Sequence, residues 1–143
     1  MTILKENQGI SKRLVVGDGL AILFVTLVGF ATHGESGMPR LPRMLATFIP
    51  LALSWFLVAP FLGLYRLEIT STLRQQWRTF LAIGFAGPLA VLVRAILLNT
   101  VVIPIFGIVL SASTGLVLSA WRLLWLISTR GHRHGSNPIM GKW

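Results

Sequence analysis

The chain has 143 residues, of which 54% are hydrophobic and only 12% charged, where a soluble domain carries about a quarter charged residues. That balance excludes an ordinary water-soluble globule and points to lipid as the solvent. Thirteen Lys and Arg against four Asp and Glu give a net charge of +9. The basic residues stand at the ends of the apolar runs, so topology and anionic headgroups account for them and nucleic acid is excluded as a partner.

A basic arm, residues 1–13, leads into a first apolar run at 14–32, and three more follow at 44–64, 79–98 and 101–127. A helix needs about 20 residues to cross a ~30 Å hydrocarbon core, and each run meets that length. The expected fold is therefore all-α: a polytopic membrane protein with four transmembrane helices in an antiparallel bundle over 14–128. A basic tail, 129–143, has no apolar run and is expected to be disordered. The arm, loops and tail are each too short to bury a core of their own.

A cleavable signal peptide is the competing reading of the first run. That run is long for such a segment and contains Asp18, and its end lacks a small-x-small cleavage site, so a retained helix is expected. Lys5, Lys12, Arg13, Arg66, Arg74, Arg78, Arg122, Arg130, Arg133 and Lys142 fall on one side of the four runs. Arg40, Arg43 and Arg94 fall on the other. The positive-inside rule then places both termini in the cytoplasm, in a multi-pass protein of the cytoplasmic (inner) membrane. Tyr65, Trp77, Trp121 and Trp125 cluster near the same boundary, where amphipathic rings favour the headgroup level.

The loop at 34–43 reads as an irregular turn, and the third and fourth runs join in a tight hairpin around Asn99 and Thr100. Five polar residues inside or beside the runs are candidate site residues: Asp18, His33, Glu35, Arg94 and Arg122. Asp18 lies about four residues into the first helix, ~6 Å below the boundary at ~1.5 Å per residue. Arg122 has nearly the same depth on the fourth helix, so an Asp18–Arg122 pair clamping the two helices costs least, with Arg78 as the other candidate. Arg94 is expected to snorkel outward towards Glu35, Asn99 or loop carbonyls. His33 is nearer to a capping or loop role than to a metal or tetrapyrrole ligand. Asp18 and His33 are ~22 Å apart along one helix and cannot act on one atom.

The fourth run carries a packing signal, Gly107, Ser111, Gly115 and Ser119 at four-residue spacing. Small residues let helix backbones approach closely in lipid, and this stripe suits contact within the chain or between two copies. Pro88, one turn after Gly84, is expected to kink the third helix, and Pro50, Pro60 and Pro104 carry the same implication. There is no phosphate loop, no metal-binding histidine pair, no close carboxylate pair and no nucleophile elbow, so neither enzymatic chemistry nor a metal site is expected. No cysteine is present, which removes thiol chemistry. The sequence assigns no cofactor.

Gly17-Asp18, Gly29 and the stretch Thr32-His33-Gly34-Glu35, with Trp55, Gly87, Arg94 and Trp121-Arg122, resemble a family of small bacterial and archaeal membrane proteins known only as a domain of unknown function. The resemblance covers 14–125 and implies four helices, with no activity, substrate or cofactor to carry over. The function expected from the residues is a non-enzymatic helix-bundle scaffold, or a small subunit of a larger membrane assembly. Its partners would be membrane lipids and a second copy or a larger complex. The alternative is a small transporter or an ion- or proton-conducting protein built on Asp18, His33, Glu35 and Arg94.

Overall fold

The computed structural model describes residues 12–34, 38–66 and 73–131, with side chains described up to Thr129. All regular structure among them is helical: α1 Lys12–Thr32, α2 Leu41–Phe61, α3 Trp77–Leu98 and α4 Pro104–Gly131, with short 3-10 turns at Met38–Arg40 and Leu73–Gln75. Among the described residues, four helices are long and apolar enough to cross a membrane. The packing closes a ring, α1 on α2, α2 on α3, α3 on α4 and α4 on α1. Glu35, most of the basic arm and the tail beyond Gly131 lie outside the described residues.

The helix ends differ from the expected boundaries for local reasons. α2 stops at Phe61, not at residue 64, because Gly63 takes a left-handed φ of 69°. There the N–H of Gly63 donates to the Pro60 carbonyl and the N–H of Leu64 to the Ala59 carbonyl, which is a Schellman closure. α3 ends in the same way on Asn99, with φ 49°, where Asn99 and Thr100 donate to the carbonyls of Ile96 and Ala95. α4 begins at Pro104, not at residue 101. Proline biases the residue before it away from helix, lacks an N–H that the first turn would not use, and so starts this helix instead of kinking it. The expected tight hairpin is therefore a link of five residues, 99–103.

In lipid the interior gains no hydrophobic advantage over the surface, so close backbone approach and buried polar contacts hold the bundle. Ala82, Ala86 and Ala90 form a buried small-residue row on α3, and Leu51, Trp55 and Ala59 of α2 belong to the same core. The stripe on α4 turns to α3. A Cβ on Gly107 would meet Val91 at 3.3 Å, Ser111 sits against Gly87, and a Cβ on Gly115 would meet Ile83 at 3.1 Å. Each step of four up α4 matches a step of four down α3, and continuing that antiparallel register sets Ser119 opposite Thr79. The stripe is thus used inside the chain. Leu20, Phe24, Leu53, Phe61, Phe85, Ile96, Leu116 and Leu124 are among the large apolar side chains left exposed around the outside.

Candidate functional site

The ionisable candidates Asp18 and Arg122 lie at one end of the bundle, and His33 and Arg94 at the other. At the end where α1 starts and α4 finishes, Asp18 is completely buried and Arg122 is 1% exposed. An Arg122 guanidinium nitrogen donates to Asp18 Oδ2 at 2.5 Å, and Trp55 Nε1 donates to the same oxygen at 3.0 Å. A second guanidinium nitrogen donates to the Leu64 carbonyl at 3.0 Å. The group thus gathers α1, α2, the turn after α2, and α4 around one carboxylate. The ion pair offsets part of what the two groups lost on leaving water, while Asp18 Oδ1 and Arg122 Nε are buried with no hydrogen-bond partner among the described residues.

The two dipeptides at this point interlock. Gly17 and Trp121 precede Asp18 and Arg122, and a Cβ on Gly17 would fall inside the Trp121 indole. The missing side chain lets the ring lie on the α1 backbone, which brings α4 close enough for the charges to meet. Tyr65 completes the wall. Its ring lies 5.7 Å from the Arg122 guanidinium carbon and stacks at 6.5 Å on Phe56. Burial, and after it the charge of the nearby Asp18 carboxylate, push the Tyr65 phenol above its ordinary range, so it stays a neutral hydroxyl.

Two expectations change here. Tyr65 is buried in the protein instead of lying open to headgroups, because the chain turns back at the Schellman closure on Gly63. Trp121 and Trp125 are half-buried in helix contacts, and Trp77 alone of the four aromatic residues is mainly exposed. Arg78 does not reach Asp18; it donates to the Leu62 carbonyl at 3.2 Å, tying the start of α3 to the end of α2. Sequence depth alone could find Asp18 and Arg122. Trp55 entered only through a family resemblance, and the Leu64 carbonyl has no side-chain signal at all.

The second group lies at the opposite end. Arg94 Nε donates to Thr47 Oγ1 at 2.9 Å, and the Thr47 hydroxyl donates onward to the Arg43 carbonyl at 3.0 Å. The Arg94 guanidinium lies 4.7 Å over the Phe106 ring. Arg94 thus bridges Thr47 of α2 and Phe106 of α4. Arg40 donates to the Gly34 carbonyl in the turn after α1. His33 is exposed and shares with Arg43 and Arg94 the rim of a cavity of about 700 Å³. The cavity does not reach Asp18, so the two polar groups stay separate. Among the described residues, no cluster of His, Cys, Asp and Glu could hold a metal ion.

Four spanning helices around a buried ion pair, with an apolar exterior, define an integral membrane helix bundle. The family model that matches residues 15–125 is DUF3054, described as a protein of unknown function, and the chain belongs to that family. No curated protein and no solved structure matches.

Proposed function

We propose that this is a non-enzymatic membrane protein that acts by helix contact, as a small subunit or scaffold of a larger membrane assembly. The observation that carries the reading is the commitment of Asp18. It is the only carboxylate among the described residues, and it is enclosed, with Arg122 and Trp55 both on one oxygen. Its burial against two donors from other helices supports a role in fixing α1, α2 and α4 in place.

A partner helix fits best along α3. Gly84 is exposed with no atom near its missing side chain, and Pro88 leaves its carbonyl without the usual helical donor. A bare carbonyl facing lipid favours a neighbouring chain that supplies a donor. Both termini belong in the cytoplasm and the protein in the cytoplasmic membrane, on the asymmetry of basic residues. Reporter fusions at 143 and within 34–43 test this, and an external signal from the C-terminal fusion would reverse it.

Purification in mild detergent after in-membrane cross-linking tests the assembly. A defined oligomer or a co-purifying partner is expected, lost in Gly84→Leu while the bundle stays folded. A monomer with no partner would overturn it. The cavity at the Arg94 end favours a second reading, a small carrier. Solute flux in proteoliposomes that Arg94→Gln abolishes, with folding intact, would put that reading first.

A further inference from the structure

We propose that the cavity at the Arg94 end is a binding site for a neutral, membrane-soluble alcohol. The alcohol's hydroxyl would donate to the side-chain oxygen of Thr26 or Ser113, and its hydrocarbon part would lie between α1 and α4. This goes beyond the scaffold reading and does not depend on it.

Position is the first argument. α1 and α4 meet closely where Gly17 receives Trp121, and the cavity occupies the space between their other halves. Phe24 and Val28 on α1 and Val109 on α4 line it while remaining exposed on the outside of the bundle. A molecule dissolved among acyl chains can therefore enter from the side. At about 700 Å³ the space is within the ~300–1,000 Å³ typical of small-molecule sites.

The hydrogen bonds of the lining select the ligand. Thr26 and Ser113 stand in it, one on each helix. Each hydroxyl already donates to a carbonyl of its own helix, Thr26 to Ile22 at 3.0 Å and Ser113 to Val109 at 2.7 Å. Thr32 is committed in the same way, to the Gly29 carbonyl at 2.9 Å. A hydroxyl has one proton to give and two lone pairs to receive with. Once the proton is on the backbone, only acceptor capacity is left for a ligand, so the ligand must bring the donor. Arg43 and Arg94 line the same cavity and have partners of their own, so the site does not need their donors. Their positive charge beside the slot disfavours an ammonium as the incoming donor. A neutral hydroxyl meets both conditions.

Depth separates this ligand from a phospholipid headgroup. Thr26 lies six residues before the end of α1 at Thr32, ~9 Å along the helix at ~1.5 Å per residue. Ser113 lies nine residues after Pro104, where α4 starts. The acceptors are thus inside the apolar span, where a charged head is costly and a hydroxyl is tolerated once its proton is bonded.

Three substitutions make the proposal separable from folding. Gly29 lines the cavity, and a Cβ there would meet nothing within 4 Å. Gly29→Leu therefore puts a side chain into the slot without a clash and improves helix propensity. Thr26→Val keeps the shape of the side chain, and Ser113→Ala favours the helix. The bond that each of these two removes lies within a single helix.

The test uses the full chain in phosphatidylcholine nanodiscs. Native mass spectrometry and equilibrium titration follow hexadecanol, its methyl ether, and hexadecylamine, which is protonated at neutral pH. The ether keeps the chain and the oxygen and loses the donor. One hexadecanol per chain is expected, with the ether and the amine each weaker by about tenfold. Combining Thr26→Val with Ser113→Ala should lower hexadecanol to the level of the ether and leave the ether unchanged. A merely structural role for the two hydroxyls would not produce that selective loss. Gly29→Leu should abolish binding with thermal stability unchanged or raised. Four results would each overturn the proposal: no binding of hexadecanol, ether or amine binding as tightly as the alcohol, an alcohol–ether gap that persists in the double variant, or binding that survives Gly29→Leu.

Discussion

Removing one partner of the Asp18–Arg122 pair should harm the bundle more than its share of the contact. In Arg122→Gln the carboxylate keeps only Trp55 as a full-strength donor in a site with no solvent exposure. In Asp18→Asn the guanidinium keeps the Leu64 carbonyl but loses its counter-charge. Leaving such a charge buried and uncompensated costs about 3–5 kcal/mol. In the double variant no charge remains, and two amides can bond to each other, to Trp55 and to Leu64. Its loss should be about that of one single variant rather than the sum, so the coupling comes to at least about 2 kcal/mol in favour of the pair. The assay is reversible unfolding of all four proteins in mixed micelles, followed by tryptophan fluorescence. Additivity within about 0.5 kcal/mol would refute the reasoning, because contacting charges in a dry site do not behave independently.

Gly17→Val should destabilise by about 1–3 kcal/mol through overpacking against Trp121. Combining it with Trp121→Ala should recover part of that loss, as read by the same unfolding assay. Gly63→Ala should cost about 1 kcal/mol or more, since alanine resists the φ of 69°. It should also expose Tyr65 to collisional quenching, because the turn that folds Tyr65 inward would loosen. Gly87→Ala should weaken the α3–α4 contact, where the added carbon would lie 2.9 Å from Ser111 Cβ. Ser111→Gly should rescue it, and a cross-link between cysteines placed at 91 and 107 would report the restored register.

Much of the bundle was legible without coordinates because the bilayer imposes a length rule on every span. Four runs of sufficient length, hairpin connections and matched depths for Asp18 and Arg122 all follow from one-dimensional distance along a helix. The stripe from Gly107 to Ser119 was visible for the same reason, since four-residue spacing marks one helix face. What the stripe faces was not visible. Contact within the chain and contact between copies need the same small residues, and only the position of Gly87, Ile83 and Val91 opposite them decides the matter.

The sequence by itself determined the number of apolar spans and the all-helical class. It could not tell the buried side of a helix from its lipid side, because in α1 apolar residues are spread almost evenly around the axis. In water that contrast exists and fixes which face turns inward; in lipid both faces are apolar and the contrast is lost. Tertiary structure alone therefore decided that Trp55 reaches Asp18, that Tyr65 is buried in the protein, and that Arg94 meets Thr47. It also made a cavity from four helices, lined mainly by α1 and α4 with Arg43 and Thr47 of α2 and Arg94 of α3, residues too far apart in the chain to form a motif.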